Sequence, residues 1–119
     1  MKIKPAIIFT LFFINTLSAY GARIYLEKEY QNLWCSNKGG QTEYLLKDNT
    51  RVDCLLDEYA IEFDFANKWA ESIGQSLYYG IMTNRKAGVV LIMENEKNDK
   101  KYLKRLLKEI GRASCRERV

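Results

Sequence analysis

The chain has no internal repeat, no low-complexity run and no linker rich in glycine or proline, since it holds 7 Gly and 1 Pro in 119 residues. That excludes repeat arrays and leaves room for one small domain. Charge of one sign is also scarce once the two ends are set aside. The formal +4 loses Lys2 and Lys4 with the first segment and a net two positive charges with the last ten residues, leaving a value near zero. A whole-domain basic footprint for DNA or RNA is therefore excluded, and any nucleic-acid contact must come from a local patch. Long apolar runs are lacking too. The apolar stretch near the start is broken by Thr10, Asn15 and Thr16 and is short for a membrane span. Cysteine is sparse, with 3 in the chain and one of those, Cys115, in the tail. Cys35 and Cys54 remain, either as a disulfide or as two small buried apolar residues.

Both ends are expected to lie outside the folded domain. Residues 1–21 combine two lysines, an apolar run and small residues at Ala19 and Gly21, the layout of a cleaved signal peptide. Cleavage is expected after Gly21, or after Ala22 as second choice; an uncleaved anchor is the alternative. The expected destination is the periplasm or the exterior, with no stable membrane anchor after removal of the signal. Residues 110–119, IGRASCRERV, back-translate as ATCGGAAGAGCGTCGTGTAGGGAAAGAGTG. That string is similar to common short-read sequencing adapter, so these residues are expected to be read-through joined to a gene cut short at its C-terminal end. Arg112, Arg116 and Arg118 accordingly carry no nucleic-acid expectation.

The expected folded domain runs from residue 22 to 109. Ile24 to Cys35 has helical spacing and stops at Gly39-Gly40. Glu43–Leu46, Arg51–Leu56 and Tyr59–Phe65 read as three strands. Asn67 is placed to cap a helix from Lys68 to about Thr83, with Trp69, Ile73, Leu77 and Gly80 on one stripe and Lys68, Ser72, Gln75 and Tyr79 on the next. Asn84 to Gly88 is a loop, and Val89–Met93 an apolar strand buried on both faces. Asn98 or Asp99 caps a basic helix with Tyr102, Leu103, Leu106 and Leu107 on its apolar side. The order is α-β-β-β-α-β-α, an α/β class with a mixed sheet covered on both faces.

The hairpin RVDCLLDEYAIEFDF carries the chemistry. With Asp57-Glu58 as its turn, Cys54 pairs with Ile61 and Asp53 lies opposite Glu62. Alternation puts Val52, Cys54, Leu56, Tyr59, Ile61, Phe63 and Phe65 on one apolar face and Asp53, Glu62 and Asp64 on the other. Facing carboxylates repel, and a hard divalent ion would relieve them. A solvated polar face is the plainer alternative. The covered sheet weighs against it, because unpaired carboxylates there are costly.

This order, with an acidic hairpin, resembles the PD-(D/E)xK nuclease superfamily of restriction-endonuclease-like fold. Asp53, in Val52-Asp53, matches the first metal ligand, without the preceding proline. Glu62 matches the second. Asp64 occupies the position where lysine normally stands. Lys68 is similar to the migrated lysine of some members, and Gln75 and Tyr79 stand at the Gln-x-x-x-Tyr spacing of RecB-type members. The string EFDFANKWAESIGQSLYYG is also similar to a small family of bacterial proteins of unknown activity with signal-like starts.

The resemblance implies Mg²⁺ (or Mn²⁺) held by Asp53 and Glu62 with Asp64, and hydrolysis of phosphodiester bonds in DNA or RNA. Lys68 would act on the water or the phosphate, Gln75 and Tyr79 would orient ligands or phosphate, and Glu29 is a possible extra ligand. Plainer roles stand beside these: Lys68 as an exposed first-turn lysine, Tyr78 and Tyr79 as core aromatics, Trp34 and Trp69 as core. The run Lys97, Lys100, Lys101, Lys104, Arg105 and Lys108 is either a solvated face or one that follows a phosphate backbone. Two further readings stay open: a degenerate nuclease-like binding module, and a small secreted interaction domain without activity.

Overall fold

The computed structural model describes residues 22–113. The expected signal segment, 1–21, and the last six residues of the expected read-through lie outside the described residues. Three helices and four strands follow one another in the order α-β-β-β-α-β-α. They are α1 (Glu27–Asn37), β1 (Gln41–Leu45), β2 (Arg51–Leu55), β3 (Tyr59–Phe65), a 3-10 turn (Ala66–Lys68), α2 (Trp69–Thr83), β4 (Lys86–Ile92) and α3 (Glu96–Ala113). No helix among the described residues is long and apolar enough to cross a membrane.

The sheet has the order β1-β2-β3-β4, antiparallel across its first two pairs and parallel between β3 and β4. The hairpin turn is the one expected: Leu56 N–H donates to the Tyr59 carbonyl at 2.8 Å across Asp57-Glu58. From there Leu55 pairs with Ala60 and Cys54 with Ile61. β2 and β3 make no further pairs, although β3 stays paired with β4 as far as Phe65↔Ile92. The sheet therefore divides beyond Cys54 and Ile61, and Asp53 stands at the fork.

A helix covers each face, as the crossover requires. On one side Tyr30, Trp34 and Cys35 of α1 pack on Cys54, Ile61, Phe63, Phe65 and Ile92. Trp34 meets Phe63 edge-to-face at 5.5 Å. Cys35 is disulfide-bonded to Cys54, with Cα atoms 5.7 Å apart, which settles the choice left open by the sequence. On the other side Tyr79 of α2 packs on Leu46, Val52, Leu55 and Ala60.

Val52 thus departs from the expected face. It lies two residues from Cys54 yet joins the opposite cluster. The reversal occurs at Asp53, where the β2–β3 pairing also stops; its β1 neighbour Glu43 has φ +54, a left-handed backbone.

The buried stripe of α2 is Ser72, Ser76 and Gly80, whereas Leu77 is 53% exposed. Small residues bring this helix close to the sheet. A Cβ on Gly80 would lie 3.0 Å from the Arg85 carbonyl oxygen and 3.2 Å from the Ala87 nitrogen. Asn67 does not cap α2. It lies in the 3-10 turn and accepts a hydrogen bond from Arg23 Nη2 at 2.8 Å. β4 begins at Lys86 rather than Val89, since parallel pairing with Tyr59 starts there. Asn95 caps α3 in place of Asn98 or Asp99: its Oδ1 accepts the Asn98 N–H and its own N–H donates to Asp99 Oδ2.

Candidate metal centre

Glu62 and Asp64 follow Ala60 on β3, and alternation sets them on the face covered by α2. Both are buried, at 6% and 7% exposure. Glu62 Oε2 and Asp64 Oδ2 have no hydrogen-bond partner. The nearby helix does not relieve them, because its serine hydroxyls are already used. Ser72 donates to the Trp69 carbonyl at 2.7 Å and Ser76 to the Ile73 carbonyl at 2.9 Å. Buried carboxylate oxygens without donors are costly.

Asp53 joins them from β2. Its Oδ2 accepts the Phe63 N–H at 2.8 Å, so a side chain takes the place of a strand carbonyl where the ladder parts. Its carboxyl also adjoins that of Glu62, an interaction that lowers the Asp53 pKa and raises that of Glu62. From α1 the buried Gln31 holds the backbone, its Nε2 donating to the Asp53 carbonyl at 2.8 Å and to Glu43 Oε1 at 3.1 Å. The sequence spacing had not singled out Gln31; a glutamine on the inward side of an amphipathic helix was the available signal.

The electrostatics follow from burial and like charge. Burial, then the charge of Asp53, pushes the Glu62 carboxyl up to about 9. Burial pushes Asp64 up to about 6 against the opposing pull of Lys68. Asp53 is raised by burial, with the Phe63 amide and Glu62 working the other way. Glu27, in the first turn of α1, is raised by burial and then by Asp53 and Asp64, so it faces the same negative field. Tyr79 is raised by burial and then by Glu62 and Asp53. The chain has no histidine, and carboxyls are therefore the groups here that hold or release a proton near neutrality.

No known protein family, curated protein or solved structure matches this chain.

The expected site residues are distributed as follows. Asp53, Glu62 and Asp64 share one electrostatic neighbourhood, and Tyr79 reaches it half-buried. Lys68 closes the 3-10 turn with its side chain exposed, yet its charge acts on both Asp64 and Glu27. Gln75 is exposed, because the inward stripe of α2 runs through Ser72 and Ser76. Glu29 is exposed and engaged elsewhere: its Oε2 accepts the Leu26 N–H at 2.7 Å, completing the first turn of α1. The α1 carboxylate that senses the site is Glu27, two positions earlier.

Among the described residues no three His, Cys, Asp or Glu side chains form a ready cation cluster. What the site offers is donor chemistry of the right kind: all-oxygen, anionic, sheltered and partly unsatisfied, as suits a hard divalent ion. The residues fit such an ion by chemistry, and the carboxylates would have to draw together around it.

Proposed function

We propose that this chain is a divalent-cation-dependent phosphodiester hydrolase of the PD-(D/E)xK nuclease type. The observation that carries the reading is the pair of orphaned buried oxygens, Glu62 Oε2 and Asp64 Oδ2, beside Asp53. Asp53, Glu62 and Asp64 would hold Mg²⁺ or Mn²⁺. Such an ion, when bound, polarises a phosphate and lowers the pKa of bound water.

The rest falls to the chain's own groups. Glu62 must release its proton to bind a cation, because in the free protein it holds that proton to about 9. Lys68, exposed and within electrostatic reach of Asp64, is placed to meet an incoming phosphate and offset its growing negative charge. Tyr79 lies in the field of Glu62 and Asp53 and would keep their carboxyls oriented. Gln75, being exposed, takes no part in orienting ligands and is left as a contact for substrate. The Cys35–Cys54 bond supports action outside the cytoplasm, where disulfides persist.

A second reading keeps the fold and drops the chemistry, leaving a nuclease-like binding module. It is favoured by Asp64 in the usual lysine position and by the near-complete burial of Glu62 and Asp64. Calorimetric titration of Mg²⁺ or Mn²⁺ into the protein and into Glu62→Ala, followed by incubation with single- and double-stranded DNA and RNA, separates the two. Heat lost in Glu62→Ala together with strand cleavage supports the hydrolase. Heat without cleavage supports the binding module. No heat in either protein refutes both metal readings and leaves a small interaction domain.

A further inference from the structure

The charge that is absent from the domain as a whole is gathered on α3. Its exposed cations are Lys97, Lys100, Lys101, Lys104, Arg105 and Lys108. At 3.6 residues per turn these six fall within roughly 140° of arc and span about 16 Å of helix axis. The three carboxylates of α3, Glu96, Asp99 and Glu109, all lie outside that arc. Leu106, buried, and the half-buried Tyr102 lie on the opposite side. Among the described residues none of the six cations makes an ion pair, the two ion pairs being Arg23–Glu94 and Arg51–Glu43. Glu96 and Glu109 stand four residues from Lys100 and Arg105 at the two margins of the face, whereas Lys97, Lys101, Lys104 and Lys108 along its middle have no carboxylate of the helix three or four residues away.

A polar groove of about 430 Å³ adjoins that face, lined by Arg23, Asn67, Asn98, Asp99, Lys101 and Tyr102. Lys101 belongs to both. α3 packs on the 3-10 turn, so the groove ends at Asn67, the residue before Lys68. The one carboxylate in the lining, Asp99, is engaged as cap partner of Asn95.

We propose that the basic face of α3 binds the phosphate backbone of a nucleic-acid strand and that the groove leads that strand to the turn bearing Lys68. The proposal deepens the hydrolase reading by assigning it a polynucleotide substrate, but the binding step does not depend on catalysis. Charge complementarity selects this occupant: a row of cations without ion pairs, two of them (Lys101 and Arg105) resting over the Tyr102 ring, matches a row of regularly spaced monoanions.

The test is fluorescence anisotropy of a labelled DNA of about 20 nucleotides, single- and double-stranded, with the full chain in EDTA so that nothing is cut. With about four cations on phosphates, the logarithm of the duplex binding constant should fall with log salt at a slope of about −3.5. Lys101→Gln/Lys104→Gln/Lys108→Gln should reduce that slope by about 2 and weaken binding at least tenfold at low salt. A charge-matched control, Lys28→Gln/Lys38→Gln/Lys47→Gln, should keep the slope. Glu62→Gln should keep it too, so that loss of cleavage and loss of binding are told apart. Equal weakening by the control triple, an unchanged slope in the α3 triple, or binding to phosphatidylserine vesicles but not to DNA would overturn the proposal.

Discussion

Raising the pH from 6 to 9 without divalent cations is expected to destabilise the fold, and Glu62→Gln to remove that dependence. In the fold Glu62 keeps its proton to about 9 against an ordinary 4.5, and Asp64 to about 6 against 3.8. Between the ordinary and the folded values the native state binds protons that the unfolded chain has released. Their contribution is thus complete below the ordinary values and is lost as pH rises through the folded ones. One such proton tilts the unfolding free energy by about 1.4 kcal/mol per pH unit. Glu62 and Asp64 both act between the ordinary carboxylate range and pH 6, with Asp53 and Glu27 raised in the same direction, and from there to pH 9 the Glu62 proton remains. The chain has no histidine to add its own titration to this window. Urea unfolding followed by Trp34 and Trp69 fluorescence in EDTA, at unit pH steps, measures the slope. Glu62→Gln keeps the shape and removes the titration, so its profile should be nearly flat from 6 to 9. Millimolar Mg²⁺ should flatten the wild-type profile by favouring the ionised carboxylates. A flat wild-type profile, or the same slope in Glu62→Gln, refutes the view that Glu62 is a buried, unsatisfied carboxyl.

Lys68→Ala should abolish cleavage and spare the heat of Mg²⁺ binding; full activity in that variant removes Lys68 from the chemistry. Reducing Cys35–Cys54, which closes a span of 19 residues, should cost about 3 kcal/mol of stability, read as a lower urea midpoint with a phosphine reductant present. Gln31→Leu leaves the Asp53 carbonyl and Glu43 without their donor and should cost about 1–3 kcal/mol by the same assay, whereas Gln75→Ala should cost nothing measurable. Gly40→Ala places a Cβ 2.7 Å from the Cys54 sulfur and 2.8 Å from the Cys35 sulfur, and a lowered midpoint that reduction no longer shifts is the expected outcome.

The element order and the acidic hairpin were legible because they rest on period and turn chemistry. The alternation of Tyr59–Phe65 and the two-residue turn at Asp57-Glu58 set the register that brings Asp53 toward Glu62. Features that depend on a single backbone torsion or on competition for a donor were not legible. No residue-type rule places glutamate at φ +54 inside a strand, as Glu43 is, or turns Val52 away from the face of Cys54. Glu29 and Glu27 look alike in sequence; the Leu26 amide engages the first and leaves the second facing the site. On α2 the large residues suggested the inward stripe, but the close approach at Gly80 selects small ones, which sends Leu77 and Gln75 outward.

The Asp53–Phe63 hydrogen bond makes the centre part of the main-chain pairing of the sheet. An ion that pulled Asp53 inward would compete with an amide for the same oxygen, so occupancy would be paid for in loosened strand geometry. Amide exchange at Phe63 would then rise with cation concentration, and the backbone itself would report when the centre is filled.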